Sequence, residues 1–528
     1  MSINLSTTQQ VRKTVIKTKG GVVSAQHSHA ARVGAEILAE GGDAVDAAVA
    51  TSFALGVLEP WMSGPAGGGA MMLWRANEEQ AHSLNYGMRS PGALDPADYP
   101  LSGTGKASDL FPWEAVVEDR NIQGATAVAV PGLIDGVGKA HERFGRMPWR
   151  NLIAPSVDLA RKGLQVDWYA ALIIASATRS LAQDPDAAAL FLEDGQWPTI
   201  AGWTSLEDKR IPNPKMADTL SQLAEKGARE FYEGDIAAAM VADLQAKGGC
   251  LSMEDLRNYR ASFEAPLSFA YRDSHFHVTP YMTAGPTFRD AFEVLSQRLE
   301  TDGAPTADSF AAYAEALKQA YEKRFNTMGD HEEPKDAPGC TTHFSVVDRH
   351  GNMVAQTQTL LSIFGARTVS GSTGLLMNNG IMWFDPEQGR PNSLGPDKRC
   401  LMNICPVIGE QGNRRFAIGA SGGRKIVSAV AQLSSLMVDH GLSLEDSFHH
   451  PRIDVSGQDL LVADEQLDPS WIEALRQEHK VITAPRTAFP FAYACPVAVL
   501  REGDQNMGCT EIMSAWGDSI AEAQLRPH

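Results

Sequence analysis

Two threonines, Thr341 and Thr342, open the segment TTHFSVVDRHGNMVAQTQTL at residues 341–360. A threonine hydroxyl is a poor nucleophile unless a base lies beside it. A threonine that begins a chain carries such a base: its own α-amine, which titrates near about 7.7–8.0 and is tethered to the hydroxyl it must deprotonate. Thr341 would gain that amine if the bond after Cys340 were cut. The polar stretch before it, NTMGDHEEPKDAPGC at residues 326–340, reads as an exposed linker ending in Pro338-Gly339-Cys340, which suits a chain that cuts itself there. The plainer alternative is a threonine-rich strand that owes its composition to β-propensity alone.

The segment patterns as a hairpin turning at Asp348–Asn352, where Gly351 and Asn352 supply the turn chemistry. Symmetry about His350 pairs Val347 with Met353 and sets Thr341 directly opposite Thr359, with Cβ atoms roughly 4.5–5.5 Å apart. A one-residue bulge would break that pairing. A second feature is FAIGASGGRKIVSAVAQL, residues 416–433, which reads as strand, glycine turn and helix. Its backbone N–H groups near Gly422 and Gly423 would point at a developing oxyanion. A phosphate loop is excluded, because Gly423 is followed by Arg424, Lys425 and Ile426 where GxxxxGK[ST] is needed. GPAGGG at residues 64–69 does not fit GxGxxG, and it precedes a strand where a dinucleotide site wants a helix.

Around these features, GGVVSAQ reads as an opening strand leading into a helix from about His27 to Glu40, stopped by Gly41 and Gly42. Asp43 caps a second helix that Pro60 ends. Residues 149–321 read as mostly helical, strands dominate for a while after the linker, and two helices lie near Arg424–His440 and Pro469–Glu478. That order predicts a layered α/β or α+β architecture rather than a bundle.

The chain has 528 residues, 43% hydrophobic and 21% charged, with a net charge of -18. Such a charge argues against nucleic acid and against anionic membrane surfaces, and an anionic substrate would need local cations. The N-terminal twenty residues are basic but lack an apolar core of signal-peptide length, and no run is long enough for a membrane span, so a cytoplasmic location is expected. Six cysteines without any CxxC indicate neither a disulfide framework nor a zinc site, and His449-His450 lacks metal-ligand spacing and reads as structural. No cofactor or metal is expected.

The motifs together are distinctive. GGDAVDAAVATSFALGVLEPWMSGPAGGGAMMLW (41–74), TTHFSVVDRHGNMVAQTQTL (341–360), TGLLMNN (373–379), GPDKR (395–399) and GASGGRK (419–425) stand in this order, and across nearly its whole length the chain resembles the gamma-glutamyltranspeptidase family of N-terminal-nucleophile hydrolases. The resemblance implies an α+β fold, an αββα four-layer sandwich. It implies self-cleavage between Cys340 and Thr341 into a large chain, 1–340, and a small chain, 341–528, which form one intertwined core as a heterodimer that could dimerise further. Thr341 is implied as nucleophile, Thr359 as the hydroxyl that hydrogen-bonds it, and Gly422 and Gly423 as the oxyanion pair. The reaction implied is acyl-enzyme formation on Thr341 followed by hydrolysis.

The departures from the family pattern bear on the substrate. Where glutamyl-transferring members hold an α-amino and an α-carboxylate group with polar residues, this chain has Leu361, Gly380, Trp383, Met402 and Asn403. The family's carboxylate-gripping arginine aligns with Gly87. Arg89 lies two residues on, where a strand would turn it to the same side. The segment from Asp385 to Pro396 is too short for the long lid loop of many members. These changes imply a smaller, more apolar pocket with Arg89 and Asn403 as substrate contacts, suited to an amide whose acyl part carries a carboxylate but no ammonium. Within the family, the resemblance implies oxamate as that amide, cleaved to oxalate and ammonia in purine breakdown. The rivals are a glutathione hydrolase or transpeptidase, an acylase of larger amides similar to the cephalosporin acylases, and a non-catalytic scaffold. Arg424 and Lys425 read as surface charges at a helix start, Trp383 as pocket wall, and His343 as core packing.

Overall fold

The computed structural model describes residues 11–107, 113–202, 208–301, 303–328, 340–456 and 460–525. Most of the linker expected at residues 326–340 falls at 329–339, outside the described residues.

The hairpin forms as its alternation dictates. Strand Cys340–Val347 pairs antiparallel with Met353–Leu361, Val347 opposite Met353. The pair lies at the centre of a seven-stranded sheet in the order Ser262–Glu264, Gln80–Tyr86, Gly68–Arg75, Met353–Leu361, Cys340–Val347, Val22–Ala25 and Asp518–Ala521. A second seven-stranded sheet runs Ile16–Thr18, Gln505–Thr510, Cys495–Glu502, Arg414–Ser421, Val407–Gln411, Ser274–Val278 and Leu267–Tyr271.

Each residue parity of the hairpin serves a different layer. Phe344 and Val346 face outward into a core shared with helices α1 (Ser28–Ala39) and α2 (Ala44–Leu58). Val347 faces the other way, joining Met72, Ile408, Ala417 and Val499 between the sheets. The outer face of the second sheet packs on helices Gly285–Arg298, Ala307–Thr327 and Lys425–Val438. The result is helix, sheet, sheet, helix.

Helix α2 is alanine-rich and buried all round, which lets it lie in the middle of a packed layer. Asp43 fixes its start: its side chain accepts from the Val45 and Asp46 amides, and Asp46 returns a bond to the Asp43 amide. The middle region is less helical than its pattern suggests, since Leu267–Tyr271 and Ser274–Val278 form the outer edge of the second sheet. Each is five residues long, too short for its alternation to stand out beside the long helices around it.

Candidate active site

Thr341 sits at the buried N-terminal end of the central strand. The expected register holds through Thr342 opposite Gln358, and then slips, so that Cys340 pairs with Leu361. One residue, Thr341, therefore faces two, Thr359 and Leu360. The direct opposition of Thr341 and Thr359 is replaced by a β-bulge, which re-aims side chains at the end of the ladder. The Thr359 hydroxyl accepts a hydrogen bond from the Leu361 amide at 2.8 Å. Leu361 itself has a φ of 86°, a left-handed conformation that costs a leucine roughly 1–3 kcal/mol and persists only where packing over-determines it.

The glycine turn stands at the same end of the sandwich. A Cβ on Gly419 would collide with the His343 ring, while Val347 clusters with Ala417, so the two central strands run in opposite directions across the inter-sheet layer. Following them from His343 toward Thr341 leads from Gly419 toward Ser421 and the turn. A side-chain chain ties these ends together: Thr342 Oγ1 lies 3.2 Å from Gln26 Oε1, and Gln26 Nε2 donates to Ser421 Oγ at 2.6 Å and to the Cys495 carbonyl at 2.9 Å. Gly422 (φ 129°) and Gly423 (φ 61°) make the strand-to-helix turn in conformations open to glycine. Among the described residues neither glycine amide donates a backbone bond, whereas those of Lys425 and Ile426 bond back to the Gly422 and Gly423 carbonyls. Two adjacent N–H groups without a backbone acceptor, at the end of the sandwich that carries Thr341, are the kind of donor pair an acyl transfer needs for its oxyanion.

His343 is buried and neutral. Its ring nitrogens meet Thr357 Oγ1 at 2.8 Å and Ser345 Oγ at 3.1 Å, and burial lowers its pKa to about 3. It packs the layer between the sheets. His449 and His450 are likewise structural, the first meeting the Lys13 amide and the second stacking on Phe310.

The corner formed by Leu361, Trp383 and Met402 is apolar and filled. Leu361, Trp383 and Met402 belong to one buried cluster with Met88, Ile381, Phe384 and Ile404. Gly87 and Met402 meet face to face, since a Cβ on Gly87 would lie 2.6 Å from Met402 Cε. A Cβ on Gly380 would lie 2.6 Å from that of Ala129.

Arg89 is not in this corner. The strand ends at Tyr86, so Arg89 is not the strand residue its spacing suggested. Its main chain bridges to Val130 and Arg399, and its exposed guanidinium donates to the Asp397 carbonyl at 2.7 Å. A different cation stands beside Asn403 and Met402. Arg324, on the last turns of its helix, is buried and donates to the Met402 carbonyl at 3.0 Å and to Asn403 Oδ1 at 3.1 Å. Its other terminal nitrogen donates to the Thr283 carbonyl at 2.9 Å and to Thr287 Oγ1 at 3.3 Å. No carboxylate among the described residues pairs with it, and burial lowers its pKa to about 10.

Arg424 is also buried rather than a surface charge. It lies 4.5 Å over the Phe325 ring and donates to the Ser456 carbonyl, while the Lys425 ammonium reaches the Phe491 carbonyl at 2.7 Å. Sequence reasoning missed Arg324, Gln26 and Glu59. Glu59 interrupts the apolar run FALGVLEPWM, and a lone carboxylate in such a run is the one signal that could have singled it out. In the fold it is buried with its Oε2 3.1 Å from Thr342 Oγ1, and burial raises its pKa to about 7 against the opposing effect of that hydrogen bond.

The profile of the family described as Gamma-glutamyltranspeptidase matches residues 30–338 and 332–516. The acylase ACY 1 proenzyme of Pseudomonas sp. (strain V22) is 31% identical over 506 residues, spanning 89% of this chain and 88% of the acylase. The glutathione hydrolase proenzyme of Bacillus subtilis (strain 168) is 28% identical over 495 residues, spanning 84% and 81% respectively. The crystal structure of cephalosporin acylase from Bacillus halodurans superposes with a TM-score of 0.85 over 99% of both chains at 23% identity, which shows a shared fold. Profile, relatives and layered architecture agree: the chain belongs to the gamma-glutamyltranspeptidase family.

Proposed function

We propose that the chain is a self-processing amidohydrolase with Thr341 as its nucleophile. In the precursor the Thr341 hydroxyl attacks the Cys340 carbonyl carbon, and the oxyanion is held at the glycine turn. The C–N bond then breaks in favour of an ester that water hydrolyses. The products are chains 1–340 and 341–528, the second beginning with a free α-amine. That amine takes the hydroxyl proton when Thr341 attacks a substrate amide and returns it to the departing amine. The acyl-enzyme ester is then cleaved by water, with Thr359 as the neighbouring hydroxyl and Gly422 and Gly423 as the oxyanion donors.

For the substrate, we infer an amide whose acyl part bears a carboxylate and no ammonium, with oxamate as the specific candidate. The filled corner at Leu361, Trp383 and Met402 carries this reading. A substrate ammonium there would lose its water without a partner, a penalty of several kcal/mol or more. A small carboxylate has a donor instead. Arg324 occupies Asn403 Oδ1, which fixes the amide orientation and leaves Nδ2 to donate to an anion backed by the buried guanidinium. Arg89, exposed in this structure, would serve only at the approach.

A second reading is an acylase of larger amides. It is favoured by the apolar character of the cleft beside the glycine turn, with Ser421 and Ala494 on its wall and Met62, Tyr169, Phe491, Tyr493 and Met513 among its lining. The names of the acylase relatives point the same way. A panel decides. Ammonia release from oxamate, with none of the aniline from a γ-glutamyl anilide, supports the first reading. Turnover of long apolar acyl amides alone supports the second, and γ-glutamyl turnover sinks both.

A further inference from the structure

Thr342 turns its side chain away from the inter-sheet layer, toward Gln26 at the end of its strand and Glu59 at the end of α2. The donors and acceptors in that group can be counted. Gln26 has its amide nitrogen on the Cys495 carbonyl, which only accepts, so its orientation is fixed and Oε1 faces Thr342. Oε1 also only accepts. Thr342 thus has two oxygens at hydrogen-bond distance, Gln26 Oε1 at 3.2 Å and Glu59 Oε2 at 3.1 Å, and one hydroxyl hydrogen for the two contacts. Gln26 Oε1 carries no hydrogen, so both buried contacts are satisfied together only when Thr342 donates to Gln26 and Glu59 supplies the second hydrogen to Thr342 Oγ1.

The surroundings agree with a neutral acid. The charged neighbours around the adjoining cavity are already matched: Arg486 with Asp464 at 2.9 Å and with Glu511 at 3.9 Å, and Arg452 with Glu511 at 2.6 Å. The remaining titratable groups lining it are Tyr169, Tyr493 and Cys495. No cation among the described residues pairs with Glu59, and burial holds its pKa near 7.

We propose that Glu59 is a positioning residue held as a neutral carboxylic acid, the first donor of a one-way chain running Glu59 to Thr342 to Gln26 to Ser421. The chain fixes the residue after the nucleophile against the residue before the Gly422–Gly423 turn, and so sets the gap between the hydroxyl and the oxyanion donors. Ionisation of Glu59 removes the first link. The mature enzyme then carries a falling alkaline limb in kcat near neutral pH, superimposed on the rising limb of the Thr341 amine. The inference rests on Thr341 being the nucleophile.

The test compares wild type, E59Q, E59A, T342S and T342V. The rate of self-cleavage is followed on denaturing gels, kcat and KM are measured across neutral pH with whichever panel amide is turned over, and infrared difference spectra are recorded for wild type against E59Q. A glutamine amide donates as the neutral acid does and does not ionise. E59Q is expected to outperform E59A about tenfold in kcat and to lose the alkaline limb, with KM little changed. T342V should fall about as far as E59A, and T342S should restore most of the loss. The infrared difference should contain a carboxylic-acid carbonyl band that disappears as pH rises past neutrality. Equal damage in E59Q and E59A, an alkaline limb that survives in E59Q, or no acid band in wild type overturns the proposal. Wild type that never cleaves overturns the nucleophile reading instead, and the infrared band still reports on Glu59.

Discussion

Arg324 Nη2 donates to Asn403 Oδ1 at 3.1 Å, and no carboxylate among the described residues balances that guanidinium. A buried cation spent on main-chain carbonyls and two side-chain oxygens holds a positive potential beside Asn403. The amide it orients is the group through which that potential is felt.

The first prediction follows from this pair. Asn403→Asp replaces the Nδ2 donor with an acceptor and neutralises the guanidinium, so KM for an anionic amide should rise at least about tenfold while self-cleavage continues. Asn403→Gln should lose less. The check is steady-state kinetics on oxamate and a neutral amide in parallel, the neutral amide being the less affected.

At the glycine turn, Gly422→Ala must hold an L side chain at a φ of 129° with its Cβ 2.9 Å from Ala494 Cα. A turn displaced by even part of an ångström misdirects the two amides. Loss of one oxyanion donor costs about 10²–10³ in kcat, and that is the expected fall, with folding checked by circular dichroism.

Met402→Ala empties space in a cluster with no room to spare. The expected loss is about 2–5 kcal/mol in denaturant unfolding of the processed protein. The vacated volume lies against Gly87, so acyl groups larger than oxamoyl should gain relative turnover.

Two buried groups give stability opposite slopes with pH. His343 has a pKa lowered to about 3, so its contribution is complete above the unfolded value near 6.5 and is lost as pH falls toward 3. Glu59 has a pKa raised to about 7, so its contribution is complete below the unfolded value near 4.3 and is lost as pH rises through 7. Thermal melts across pH should lose the second slope in E59Q and keep the first. An unchanged slope in E59Q contradicts the assignment.

Much of the frame was legible in the chain itself. The Asp43 cap, the alanine-rich helix after it, the hairpin about His350 and the strand-turn-helix at Gly422 are local patterns, and each forms where its residues dictate. The bulge at Thr341 was not legible, because it arises from a leucine held at positive φ by packing rather than from a turn residue. Nor were the partnerships of Thr342 with Glu59, 283 residues away, and of Arg324 with Asn403, 79 residues away. Such pairs are created by the meeting of layers, and no local spacing encodes them. The placing of Arg89 on a strand failed for a related reason: that strand ends three residues before it.

The measurement that bears most directly on the account is intact mass with N-terminal sequencing of the purified protein, wild type beside Thr341→Ala. Wild type should yield two chains, the smaller beginning Thr-Thr-His-Phe, and the variant should remain one uncut chain. A wild-type protein that stays whole, or a small chain that begins at any residue other than Thr341, contradicts it.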